Sequence, residues 1–230
     1  MKKELSIIIP SYLESENLKQ ILPKVHMVLQ EIVTNYEVII VDTVVPMDNT
    51  PQVCKENNVK YCNTSKEDSY GNAIRTGIGQ IHSEHTIVMD ADGSCDPGFI
   101  KELYNNRAGN DVVIASRYIE GGGTNNTRFE VISSLVVNKL FSIILNIKCK
   151  DTSISFKLYK TDDLKKLVLN CKNFDILQEI LFKLKKAKPA LQIKEIPFTF
   201  TKRMFGKSKR KLVVFIASYL HTILKLRFEK

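Results

Sequence analysis

A chain of 230 residues, 43% of them hydrophobic, is long enough for one large α/β core or two small ones, and no low-complexity linker divides it. The net charge of +9 is uneven: residues 1–138 carry 12 Lys/Arg against 18 Asp/Glu, and residues 139–230 carry 22 against 7, which points the C-terminal third at an anionic partner, either nucleic acid or a lipid surface. The five cysteines are scattered without a Cys-x-x-Cys pair, which argues for a reduced compartment without structural zinc; His82 and His85 lack partners at metal-ligand spacing, no run of 18 uncharged apolar residues exists to span a bilayer, and Leu5–Pro10 is too short for a signal-peptide core.

Taken in chain order, short β-branched runs alternate with helical patterns, the signature of a mainly parallel sheet covered by helices. The predicted strands are Leu5–Pro10, Glu37–Asp42, Lys60–Cys62, Thr86–Asp90, Asp111–Ser116, Ser153–Tyr159 and Gln192–Phe200. Between the first two, the spacing of Leu18, Ile21, Leu22, Val25, Val28, Leu29 and Ile32 predicts an amphipathic helix of roughly 18 residues with Ser15 as N-cap. A second helix is expected over about Tyr70–Ile81. Val131–Ile147 and Leu212–Phe228 read as helices too apolar to be solvated and too interrupted to span. They suit either core packing or a membrane interface, the second being preceded by Lys207, Lys209, Arg210 and Lys211. The expected division is one α/β domain over 1–210 and an interfacial helix over 211–230.

The strand ends carry the chemistry. Asp90-Ala91-Asp92 closes the apolar run Ile87-Val88-Met89, and carboxylates at i and i+2 of an extended chain share a side. Two hard oxygen ligands at the end of a buried strand suit Mg²⁺ or Mn²⁺ carrying a diphosphate. Glu14 follows the first strand and Asp42 ends the second. In a parallel sheet these groups line one crevice and can converge on a nucleotide-sized ligand. Gly71-Asn72-Ala73-Ile74-Arg75-Thr76-Gly77 opens a helix, and Arg75 is a candidate phosphate contact. Neither a Walker loop nor a Gly-x-Gly-x-x-Gly after the first strand is present, so kinase-like NTPases and dinucleotide oxidoreductases recede.

Ile9-Pro10-Ser11-Tyr12-Leu13-Glu14, Val41-Asp42, Gly71 to Gly77, Met89 to Asp92, and Ser116-Arg117-Tyr118 with Gly121-Gly122-Gly123 together resemble the family 2 glycosyltransferases. Asp151-Thr152-Ser153-Ile154-Ser155-Phe156, Gln178-Glu179 and the segment Pro197 to Lys209, an Arg followed by Gly-x-Ser-Lys, are similar to the dolichol-phosphate mannosyltransferases and their bacterial polyprenyl-phosphate relatives. The resemblance covers about residues 5–215 and implies a GT-A fold. It implies that Pro10, Tyr12, Glu14 and Asp42 surround the donor nucleoside. It makes Asp90 and Asp92, with Ser94 as a further ligand, the metal and diphosphate site, and Arg117, Arg203 and Lys209 the phosphate clamp. Arg128, Ser134, Gln178 and Glu179 fall to the acceptor side. Three positions depart from the pattern: Thr43-Val44-Val45-Pro46 where a second Asp and a Gly-Ser turn are usual, Gly93 where an apolar residue is usual, and Glu130 where an acceptor-binding Arg aligns.

The implied reaction is inverting, metal-dependent transfer of a hexose, with GDP-mannose as favoured donor, to dolichyl or another polyprenyl phosphate on the cytoplasmic face of a membrane; a membrane partner subunit is left open. A phosphate monoester is largely ionised at neutral pH, so such an acceptor needs no general base. The alternatives are a UDP-sugar enzyme acting on polyprenyl phosphate or on a glycan hydroxyl, with Asp175 or Glu179 as base, and a degenerate, non-catalytic binding subunit. Nucleic-acid binding is disfavoured, because aromatic residues are not interleaved through the basic segment.

Overall fold

The computed structural model describes residues 2–206, 219 and 222–228. Its elements are β1 (Lys3–Pro10), α1 (Ser15–Ile32), β2 (Tyr36–Asp42), α2 (Thr50–Glu56), β3 (Lys60–Asn63), α3 (Tyr70–Gln80), β4 (Ser83–Val88), α4 (Ile100–Asn105), β5 (Val112–Ser116), β6 (Gly123–Thr124), α5 (Arg128–Ile144), β7 (Lys157–Lys160), α6 (Thr161–Lys165), α7 (Ile176–Ala187), β8 (Ile193–Pro197) and β9 (Thr199–Phe200). Residues 222–228 are helical.

Seven strands form one sheet in the order β3-β2-β1-β4-β7-β5-β8. All but β7 run the same way; β7 is antiparallel to both β4 and β5. The expected mainly parallel α/β sheet is therefore present. Its strands are near-continuous apolar runs because helices cover both faces: Ile7, Ile8, Ile9, Ile39, Ile40, Val41, Ile87, Val113 and Ile114 are all buried. Helix α1 buries Leu18, Ile21, Leu22, Val25, Val28 and Leu29, the predicted stripe.

Four expectations shift. Ser15 is the first helical residue rather than the cap; Glu14 holds the cap position without a side-chain bond to the helix backbone, and Asp48 Oδ2 accepts the Ser15 N–H at 3.0 Å. The fourth strand ends at Val88, so Asp90 and Asp92 stand on the turn after it, and Gly93 takes φ +77°, a left-handed geometry that suits glycine. Residues 153–156 precede β7 as a loop, because their backbone donors are taken by side chains: Asp151 Oδ1 accepts from Ile154 N and Asn138 Oδ1 from Ser153 N. The last predicted strand divides in two. Pro197 ends β8, Phe198 turns into a cluster with Phe99 and Phe156, and β9 pairs with β6 in a separate two-stranded sheet.

All five cysteines are free thiols, and burial pushes Cys54 and Cys149 up to about 12. An unfolded thiol loses its proton near pH 8.5. Above that pH the unfolded chain releases protons that the folded one keeps, so this contribution is whole below about pH 8.5 and is lost as the pH climbs toward the folded values. Thermal melts are expected to fall progressively above pH 9, and a Cys54→Ala, Cys149→Ala variant should show a flatter alkaline limb.

Candidate active site

The carboxyl ends of β1, β2, β4 and β5 open on one crevice of about 850 Å³. One half of it, at the ends of β1, β2 and β4, is acidic. Asp42, at the end of β2, is buried; Tyr61 Oη donates to its Oδ2 at 3.1 Å and the Thr43 hydroxyl approaches Oδ1 at 3.4 Å. Burial raises the Asp42 carboxyl above its ordinary range, and burial beside that carboxylate pushes the Tyr61 phenol up to about 12. Thr43 turns its hydroxyl to the Val45 carbonyl at 2.7 Å, and Asp68 accepts the Val44 N–H at 2.7 Å. The segment 43–45 is thus held by the Thr43 hydroxyl from within and by Asp68 from outside.

Asp92 is fixed by the turn it stands on. Its Oδ1 accepts from the Ser94 N–H at 3.0 Å and from the Ser94 hydroxyl, while its Oδ2 faces Arg203 Nη2 at 3.2 Å. The same Nη2 lies 3.0 Å from Glu14 Oε1. Asp90 Oδ1 accepts from Tyr70 Oη at 3.2 Å, and the Tyr70 ring stacks on Phe174 at 4.1 Å between centroids. The segment that carries Arg203 is tied down beside these groups. Met204 N donates to the Asp92 carbonyl, Phe205 N to Asn17 Oδ1, and Thr201 N to the Ser94 carbonyl.

Among the described residues no three His, Cys, Asp or Glu side chains converge tightly enough to hold a cation by themselves. Asp90 and Asp92 are hard oxygen donors at the mouth of a nucleotide-sized crevice. Few protein ligands completed by phosphate oxygens and water is the pattern that suits Mg²⁺ or Mn²⁺, so the residues present fit the group. Ser94, expected as a third ligand, donates its N–H and hydroxyl to Asp92 Oδ1.

The other half of the crevice is built on Arg117, just past β5. Its Nε and Nη2 donate to Asp151 Oδ2 and Oδ1 at 2.7 and 2.8 Å, and Nη2 also reaches Ser153 Oγ at 2.9 Å. Both partners of the ion pair are buried. Burial alone would raise the Asp151 carboxyl, but the guanidinium outweighs it and holds the carboxyl below the usual range. Under this pair Lys157 Nζ donates to the Thr152 and Ile154 carbonyls, and burial lowers its pKa to about 8. Three buried hydroxyls that line the crevice, Ser11 Oγ, Thr64 Oγ1 and Ser155 Oγ, have no protein partner. Buried polar groups are seldom left unpaired, so these point to ligand contacts at both ends.

Pro10, Tyr12, Glu14, Asp42, Asp90, Asp92, Ser94, Arg117 and Arg203 all line this crevice. Five expected residues do not. Arg75 donates to the Cys171 carbonyl at 2.6 Å, and the tight approach that Gly71 permits is to the same strand of backbone: a Cβ there would stand 2.2 Å from the Cys171 oxygen. Glycine and arginine in this segment serve a chain crossing, not a phosphate. Arg128 is exposed at the start of α5, and Ser134 lies behind the clamp, accepting from Asn138 Nδ2 at 3.3 Å. Gln178 is fully buried, with both polar atoms lacking a partner. Glu179 is buried and accepts the Asn170 and Cys171 N–H groups and a 3.0 Å contact from Lys183. Asp175 accepts from Thr222, so neither proposed base faces the crevice. Lys209 lies outside the described residues, as do most of 211–230. Tyr70, Asp151 and Ser155 also belong to the site; the pattern Asp151 to Phe156 signals the last two, and no motif signals Tyr70.

An acidic, metal-ready crevice at the carboxyl ends of an open sheet, faced by a buried arginine clamp, is the layout of a GT-A transferase. The chain belongs to glycosyl transferase family 2, which it matches over residues 6–168. It is 34% identical over 232 residues to a dolichol-phosphate mannosyltransferase of Pyrococcus furiosus, a match covering 97% of this chain and 63% of that protein. It is 27% identical over 221 residues to a polyprenol monophosphomannose synthase of Mycolicibacterium smegmatis, covering 88% of this chain and 79% of the relative. Among solved structures, the glucosyl-3-phosphoglycerate synthase of Mycobacterium tuberculosis in complex with Mn²⁺, UDP and phosphoglyceric acid superposes with a TM-score of 0.76 at 14% identity, covering 99% of this chain and 80% of that one. This likeness shows the fold. The chain spans just under two thirds of the Pyrococcus relative.

Proposed function

We propose that the protein transfers a hexose, mannose from GDP-mannose being the favoured case, to a polyprenyl phosphate at a membrane surface. The observation that carries this reading is where the clamp lies. Asn126, Thr127 and Glu130, at the start of α5, line the Arg117 end of the crevice. The outer face of the same helix is a stripe of Phe129, Ile132, Val136 and Ile143, each 54–67% exposed. A polar pocket for an anionic head beside an apolar surface for a hydrocarbon tail is what a lipid phosphate requires. Among the described residues no helix is long and apolar enough to cross a membrane. The names of the two sequence relatives support the same acceptor class.

The mechanism follows from the acceptor's charge. Its phosphate oxygen is already nucleophilic, so the chain's task is alignment and shielding. Arg117, kept charged and oriented by Asp151 and Ser153, neutralises the acceptor phosphate. Arg203, between Glu14 and Asp92, brings a second positive charge to the diphosphate end. A divalent cation on Asp90 and Asp92 would stabilise the departing nucleoside diphosphate. Tyr70 holds Asp90, and Ser94 holds Asp92, in place while charge develops. Attack opposite the leaving group inverts the anomeric centre.

One observation favours a second reading. Glu130 puts a carboxylate at the acceptor end, where it accepts from Thr127 N–H and Oγ1 at 2.9 and 2.8 Å in a capping box. A hydroxyl acceptor would want a base there. The experiment that separates the readings incubates the protein with radiolabelled GDP- and UDP-sugars, Mg²⁺ or Mn²⁺, and either farnesyl phosphate or a soluble glycan, alongside sedimentation with anionic liposomes. The expected result is organic-extractable product from GDP-mannose and liposome binding that high salt only partly reverses, since screening leaves apolar insertion intact. Efficient transfer to the glycan without liposome binding would replace the phosphate acceptor with a hydroxyl.

A further inference from the structure

Helix α5 has two working faces. Phe129, Ile132, Val136 and Ile143 recur every three or four residues, or a multiple of that interval, along the outside. On the inner face lies Asn138, 1% exposed. Its Oδ1 accepts from Thr152 N at 2.9 Å, Thr152 Oγ1 at 2.7 Å and Ser153 N at 3.0 Å, and its Nδ2 donates to Ser134 Oγ at 3.3 Å. These bonds replace a strand ladder and keep the residues before β7 as a loop. That loop supplies both groups that orient Arg117. Asp151 takes the guanidinium fork, and Ser153 Oγ takes Nη2 while standing 3.5 Å from Ser134 Oγ. From the sheet side the loop is pinned by Lys157; from the helix side it is pinned by Asn138. A two-pronged guanidinium contact at 2.7–2.8 Å survives only small displacements of its carboxylate, so a slip of α5 along or about its axis is felt at Arg117.

We propose that Asn138 is a positioning residue through which α5 sets the Arg117 guanidinium, so that seating the helix's outer face on an apolar surface orders the phosphate-binding end of the crevice. The identity of that surface, a lipid bilayer, rests on the lipid-phosphate reading; the link from Asn138 to Arg117 does not. The enzyme then reads arrival at the membrane through one amide side chain.

The test uses the full chain with Asn138→Leu and the milder Asn138→Ser, which keeps a small polar group should the leucine variant fail to fold. Hydrogen exchange of residues 150–156 is followed with and without vesicles of phosphatidylcholine and phosphatidylglycerol. In the wild type, vesicles are expected to slow exchange there by about threefold or more. In the variants exchange should run about tenfold faster, vesicles should no longer slow it, and β1 to β4 should be unaffected. Transfer to farnesyl phosphate should lose about 30-fold in kcat/KM through the acceptor KM, with the donor KM unchanged. In an Arg117→Lys background the same Asn138→Ser change should cost less than about threefold, because the two residues act as one unit. Equal exchange in the variants, an equal rise in both KM values, or full additivity with Arg117→Lys overturns the proposal, and so does a wild-type loop that vesicles leave unchanged. If the wild type ignores farnesyl phosphate while vesicles tighten 150–156 in the wild type and the variants loosen it, the link stands and the acceptor assignment falls.

Discussion

Asp92→Asn and Asp90→Asn are expected to reduce transfer by at least about 10²-fold, a loss of roughly 2.7 kcal/mol of transition-state stabilisation, while leaving the protein folded. Both side chains stand on the turn after β4, outside the sheet core, so neither substitution opens a cavity. Asparagine keeps the shape of each and removes the charge that a diphosphate-bound cation needs. The two variants should also differ from each other. Asp92 is the one that faces Arg203 and accepts from Ser94, so its amide disturbs the bonds that hold 201–206, whereas the Asp90 amide can still accept from Tyr70. Steady-state rates across a Mn²⁺ titration, with Mn²⁺ binding followed by electron paramagnetic resonance in the presence of nucleoside diphosphate, check the assignment. Near-normal turnover and Mn²⁺ binding in both variants would remove Asp90 and Asp92 from the metal site.

Asp151→Ala should act on stability first. Asp151 and Arg117 are both shielded from water, and removing one partner strands a buried guanidinium. The expected cost is about 3–5 kcal/mol, which for a chain of this size lowers the melting temperature by roughly 6–20 °C. The Arg117 N–H and the Ile154 N–H lose their acceptor at the same time. Calorimetry of the variant against wild type measures the cost. A drop of only a degree or two would mean that solvent or another carboxylate, such as Glu195, takes over the guanidinium. Glu195 already accepts from Asp151 N and Ser116 Oγ, which makes it the nearby candidate to watch in that outcome.

Much of the donor half was legible before any coordinates. Strands β1, β2 and β5 are apolar runs with clear ends, and a parallel sheet makes the residues after them neighbours without further information. That is why Glu14, Asp42, Asp90, Asp92 and Arg117 converge as expected. Side-chain period gives a strand but not its direction, so the reversal of β7 was invisible. So was the splitting of Gln192–Phe200 between two sheets, which depends on where Phe198 finds its aromatic cluster. By residue type Arg75 is a candidate phosphate contact, whereas its bond and the need for Gly71 both answer to the backbone at 171–172, nearly 100 positions away. In the sequence Asn138 is one polar residue inside the apolar run Val131–Ile147. Its role appears only when the loop it caps is folded against it. Glu130 departs from the family pattern, and the structure gives it a local reason as the far half of the Thr127 capping box.

The reversed strand β7 also fixes an order of events. β1 to β4 fill four adjacent places in the sheet, in the order β3-β2-β1-β4, and are joined by helical crossovers, so the acidic half of the crevice is drawn from roughly the first 90 residues to leave the ribosome. β5 cannot join them on its own. Its partner on that side is β7, which emerges some 40 residues later, and β7 must slot between two strands already made, running against both. Asp151 and Ser153 arrive on the approach to that strand. The acidic residues of the crevice therefore lie in sequence that emerges early, and the groups that orient Arg117 come only on the approach to the strand that closes the sheet through its middle, so a chain halted before residue 150 carries the acidic residues without the means to orient Arg117.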